Sequence, residues 1–190
     1  MLWGMSNSKR IQYIVFSIFI TSLICGSIYC MLLKNEDFSS VNEYFLSYIG
    51  QDINKQAVIK KSVTNNMIFG SVVLICGFFR LGAVIAPVML FKEGFNVGFC
   101  IAGLCRCFGF PGAILGGASQ VHFLILIPLL VVFVSLSVEM ACNFRKNQKK
   151  IKIFFVFFQL FLITIFCGFA FFQGYINKIF MKYVIVKFIK

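Results

Sequence analysis

Four polar side chains stand inside the apolar part of this chain, at Arg80, Arg106, Gln120 and His122. An arginine there could hold a phosphate or a carboxylate, and a histidine could move a proton or bind a metal. Both jobs need companions. His122 is the only histidine, and it belongs to no His-Glu-x-x-His pattern. The chain also lacks a Gly-x-Ser-x-Gly elbow, paired intramembrane aspartates, and a Gly-Lys-Ser/Thr phosphate loop. The sequence therefore predicts no catalytic residue, no metal site and no cofactor. Gln120 and His122 read best as hydrogen-bonding groups between helices. Arg80 and Arg106 read as structural, or as the lining of a substrate or lipid path.

Small residues form a second constellation. Gly94, Gly98 and Ala102 recur every four residues, and Gly112 and Gly116 repeat the interval after Gly109. On a helix this spacing makes one smooth face, which lets helix backbones approach closely in a membrane. The partner of that face is a helix of the same chain or a second copy.

These groups must be positioned by membrane helices. Hydrophobic residues make up 60% of the chain and mean hydropathy is +0.93, outside the range of soluble domains. The expected fold is all-α, a polytopic membrane bundle of about five transmembrane helices in one domain. The spans are expected at 11–33, 67–91, 94–110, 123–142 and 151–173. The third is the shortest, near the ~17-residue lower limit for a crossing. The first is too long for a secretory h-region and reads as a retained span or signal anchor. The eight cysteines all lie in or beside apolar stretches, with no Cys-x-x-Cys pair, and read as small buried hydrophobes.

Net charge is +12, but the basic residues gather beside apolar segments. There they set topology and touch anionic lipid rather than nucleic acid. Lys9 and Arg10 precede the first span, and Arg145, Lys146, Lys149, Lys150 and Lys152 stand between the fourth and fifth. Five crossings put both groups on the cytoplasmic side, with the 34–66 loop and the C-terminal tail outside. On these spans Arg80 falls at mid-membrane. Lys92 and Glu93 fall between two spans on the cytoplasmic side, and Arg106 near the outer interface. The loop carries an apolar pattern at helical spacing (Val41, Tyr44, Phe45, Tyr48, Ile49) that suits a cap on the bundle, a bilayer surface or a partner. The tail, 174–190, spaces Lys178, Lys182, Lys187 and Lys190 among bulky apolar residues. It suits the membrane surface or a frayed basic end.

In order, these residues resemble a known family. The run from Arg80 through Pro87 to Lys92-Glu-Gly-Phe-Asn-Val-Gly-Phe99 is similar to the core of the stage II sporulation protein M family. So are Phe108-Gly-Phe-Pro-Gly112 and the interval from His122 to Pro128. The resemblance covers residues 78–130. It departs at Val121, where the family often has proline, and at Leu126, where wider relatives often carry an acid. It implies a multi-pass cell-membrane scaffold of the engulfment machinery. Such a scaffold anchors peptidoglycan-degrading partners and catalyses nothing itself. The expected partners are then membrane lipids and cell-wall hydrolases or other membrane proteins. The rival reading is a transporter or permease-like subunit, with Arg80, Arg106, Gln120 and His122 along its path.

Overall fold

The computed structural model describes residues 2–34, 38–39, 43, 55–119, 121–142 and 153–169, and among them there is no strand. The helices are α1 Leu2–Leu32, α2 Lys55–Cys76, α3 Gly82–Phe108, α4 Phe110–Ser119, α5 Val121–Cys142 and α6 Ile153–Phe169. Lys9–Leu32 and Gly82–Phe108 are long and apolar enough to cross a membrane. Leu126–Cys142 and Ile153–Phe169 are apolar but shorter. The outer surface is rich in large apolar side chains, with Tyr13, Leu81, Val84, Phe154 and Phe157 all more than 60% exposed.

The boundaries of the second and third helices differ from those read from hydropathy. The stretch 67–91 is not one helix, because the chain turns back at Gly77–Leu81. Short i→i+3 bonds close this turn, from the Gly77 amide to the Leu74 carbonyl (3.1 Å) and from the Gly82 amide to the Phe79 carbonyl (2.9 Å). Gly82 is needed for the reversal, since a β-carbon there would run into the Cys76 carbonyl. Conversely, Lys92-Glu93-Gly94 makes no break. The helix from Gly82 runs unbroken through it to Phe108, so α3 absorbs both the end of the expected second span and the third up to Phe108. Pro87 lies in the second turn of α3, where it removes one i→i−4 amide hydrogen bond, a loss that membrane helices accommodate.

The pairing of levels between helices gives their directions. Gly94 lies against Ser22, Gly98 against Leu23, and Arg106 reaches Cys30, so α1 and α3 run parallel. Gly70 meets Ile163 and Gly77 meets the Phe155 ring, so α2 and α6 are antiparallel. Ser137 donates to the Val73 carbonyl (2.5 Å) and the Phe133 ring lies 6.3 Å from that of Phe69, so α5 runs parallel with α2. The N-terminal end of α1, the Gly77–Leu81 turn, the end of α5 and the start of α6 therefore share one end of the bundle. The core lies between α1, α2, α3, α5 and α6, around Phe19, Val73, Leu90, Leu130, Phe133, Val134 and Leu162.

Candidate functional site

Helical spacing on α2 and α3 gathers six polar side chains into one cleft. On α2, Ser62, Asn65, Asn66 and Phe69 recur at three- and four-residue intervals, as do Met89, Lys92, Glu93 and Asn96 on α3. Residues so spaced share a face, and the two faces meet across a cleft of about 300 Å³. Ile68 of α2, Leu126 and Leu130 of α5, and Phe166 of α6 complete its apolar wall. The Asn66 amide donates to the Phe166 carbonyl at 3.0 Å, tying α2 to the end of α6. Glu93 is half-buried, while Lys92 and Asn96 are exposed at the rim. Neither Lys92 nor Glu93 forms an ion pair or a hydrogen bond with another described residue.

Lys92 and Glu93 thus lie inside a long apolar helix and not in a cytoplasmic loop. At ~1.5 Å per residue they are ~15 Å from the start of α3 and more than ~20 Å from its end. Hydropathy puts them at a span boundary, because charges normally mark one. The signal that could have found the cleft is the polar spacing of Ser62, Asn65 and Asn66 on α2, which Phe69 continues.

Arg80 moves the opposite way. Expected at mid-depth, it lies exposed in the turn between α2 and α3, at the same end of the bundle as Lys9 and Arg10. Arg106 lies in the last turn of α3. Its guanidinium donates to the carbonyls of Cys30 (2.9 Å) and Leu33 (2.8 Å) and stands 4.1 Å from the Phe38 ring centroid. It satisfies carbonyls left open at the end of α1. Neither arginine lines the cleft, and they stand at opposite ends of the bundle, so they do not flank one path. Gln120 and the His122 side chain lie outside the described residues, as do most of the 34–66 loop and the whole 174–190 tail.

The glycines occupy helix contacts. A β-carbon at Gly94 would strike Ser22, and one at Gly98 the Leu23 carbonyl. Ala102 is buried with Cys30 and Phe38. Gly26 answers from α1, where a β-carbon would meet the Phe95 carbonyl. The Ser27 hydroxyl bridges the seam, reaching the Gly98 carbonyl at 3.2 Å. Gly112 and Gly116 turn toward Leu104 and Ile101, so α4 folds back on α3. Gly109 makes that turn at φ 62°. This face of α3 is covered by α1 and is closed to a second copy.

All eight cysteines are free thiols, and among the described residues no three His, Cys, Asp or Glu side chains come together. No protein-family model, curated protein or solved structure matches the chain.

Proposed function

We propose that the chain is a multi-pass cell-membrane protein of five crossings, made by α1, α2, α3, α5 and α6, with α4 returning as a half-hairpin. The alternating directions of these helices support the count. Basic residues support the orientation, because Lys9, Arg10 and Arg80 share one end. In sequence, Arg145, Lys146, Lys149, Lys150 and Lys152 fall between the end of α5 and the start of α6, and those two helix ends lie there too. Such an excess belongs on the cytoplasmic side. The N-terminus is then cytoplasmic and the C-terminal tail extracytoplasmic.

Within that frame, the protein serves as a non-enzymatic scaffold like the sporulation family it resembles, localising peptidoglycan-degrading partners during engulfment. One observation carries this reading. The residues behind the resemblance are spent on holding helices together, with Gly94 and Gly98 in the α1–α3 seam and Gly109 and Gly112 in the α3–α4 hairpin. Deleting the gene should arrest engulfment and leave vegetative growth unchanged. Normal engulfment in the deletion strain would overturn the scaffold.

The cleft favours a second reading, a transporter-like subunit whose path runs past Glu93. Complementing the deletion with Glu93→Gln separates the two. A scaffold keeps engulfment, and a transporter loses it.

A further inference from the structure

We propose that the cleft between α2 and α3 binds a phospholipid headgroup that carries a primary ammonium beside its phosphate, as phosphatidylethanolamine does. The proposal rests on the five-crossing membrane reading and is independent of the scaffold.

Three observations carry it. First, the cleft offers both signs of charge one residue apart. Successive helix positions diverge, so Glu93 turns inward, half-buried, while Lys92 stays exposed at the rim. A carboxylate held inside an apolar helix, with no ion pair or hydrogen bond among the described residues, is unfavourable in a bilayer and calls for a cation. Second, the remaining polar lining consists of Asn65, Asn66, Asn96 and Ser62, whose side-chain oxygens accept hydrogen bonds. Those oxygens can accept from an ammonium, and the asparagine amides and the serine hydroxyl can donate to phosphate oxygens. A quaternary ammonium would instead call for aromatic faces, and the two rings here, Phe69 and Phe166, are nearly buried. Lys92, at the rim, is placed to meet the phosphate as a point charge.

Third, the cleft opens onto the flank of the bundle. Lys92 continues an exposed apolar stripe made by Leu81 of the turn and Val84, Ile85 and Val88 of α3. Ile68, 55% exposed, stands on the α2 side of the mouth. A ligand entering there keeps its acyl chains against apolar side chains while its head occupies the polar interior. A free zwitterion would leave those apolar walls unused.

The test is native mass spectrometry of the full chain, released from nanodiscs holding equal parts of phosphatidylethanolamine, phosphatidylcholine and phosphatidylglycerol. The native protein should retain the ethanolamine lipid well above its share. Glu93→Gln should reduce that retention about tenfold, the loss expected for one charge-assisted hydrogen bond. Lys60→Gln, on α2 outside the cleft, should change nothing. Should E93Q fail to fold, Asn96→Leu replaces it, with a smaller loss in the same direction. Retention in proportion to supply overturns the proposal, as does an E93Q protein that retains lipid like the native one. Displacement of the lipid by millimolar phosphoethanolamine would assign the site to a free zwitterion and overturn the lipid source. A chain that extracts without detergent would refute the membrane reading itself.

Discussion

The Arg106 guanidinium donates to the carbonyl oxygen of Cys30 at 2.9 Å, joining the end of α3 to the end of α1 across 76 positions of sequence. The same nitrogen reaches the Leu33 carbonyl, and the group stands over the Phe38 ring. A cation at a helix C-terminus also meets the negative end of the helix dipole. Arg106→Leu should therefore destabilise the protein by about 2 kcal/mol, the scale of hydrogen bonds from a charged donor. Arg106→Lys should recover only part, because a compact ammonium lacks the flat guanidinium face that lies over the Phe38 ring. Equilibrium unfolding in mixed detergent micelles measures both. Native stability in R106L would refute the capping role.

The α1–α3 seam makes a sharper prediction. Gly98→Ala would press a methyl group against the Leu23 carbonyl, and backbone cannot swing aside as a side chain can. Overpacking of this kind costs about 1–3 kcal/mol. Gly168→Ala is the control, since a β-carbon there meets nothing within 4 Å. In the helix α6 it should stabilise by about 0.5–1 kcal/mol. Opposite signs for the two glycine substitutions are the expected result in the same unfolding assay.

Gly109 is different again. A β-carbon there has open space around it, but the backbone sits at φ 62° and ψ −136°. That region is nearly closed to residues with a side chain, at about 1–3 kcal/mol. Gly109→Ala should loosen the α3–α4 hairpin, and Gly109→Asn should not rescue it, because asparagine favours ψ near +45°. Faster proteolysis between α3 and α4 in both variants would report the loosening.

The apolar segments and their helical character were legible in the sequence, because lipid demands helices wherever the chain is continuously apolar. The break at Gly77–Leu81 was not. Its residues are as apolar as their neighbours, apart from Arg80, so hydropathy runs straight through it. What makes the turn is steric, the contact of Gly82 with Cys76, and that depends on the chain having already reversed. The same error hid the cleft. Once 67–91 is taken as one helix, Lys92 and Glu93 fall at its end. Only the true frame brings Glu93 level with Asn65 and Asn66. The small-residue spacing of Gly94, Gly98 and Ala102 was readable because a four-residue interval is local, whereas the identity of the facing helix is not.

Gln159 is fully buried in α6, and its side-chain amide donates to the Phe133 carbonyl of α5 at 3.0 Å. Its side-chain oxygen has no partner among the described residues. The bond gained and the acceptor left bare oppose each other, and bonds between membrane helices average only about 0.6 kcal/mol. Gln159→Leu, similar in volume, should stay within about 1 kcal/mol of native. Gln159→Ala opens a cavity beside Phe133 and should lose about 2 kcal/mol or more. A large loss in Q159L would mean the amide bond fixes the α5–α6 register.

Arg80 bears on topology rather than stability. It is exposed in the tight turn that starts α3, level with Lys9 and Arg10. On the five-crossing reading a reporter fused after Arg80 should give a cytoplasmic signal, as should one fused after Arg145. Fusions after Leu33, Gly109 and Lys190 should all report the outer side. The span boundaries drawn from hydropathy alone put residue 80 in mid-membrane, where a fusion gives a mixed signal. Arg80→Leu removes one of the charges that hold the turn inside. Its effect should be a minority population with α2 and α3 failing to insert as a pair, while the unfolding free energy of the inserted fraction stays within about 0.5 kcal/mol of native, as for exposed sites generally. If R80L instead destabilised the inserted protein, Arg80 would have a partner in the bundle. A clean outer signal after residue 80 would reverse the orientation, and a cytoplasmic signal after Lys190 would refute the odd number of crossings.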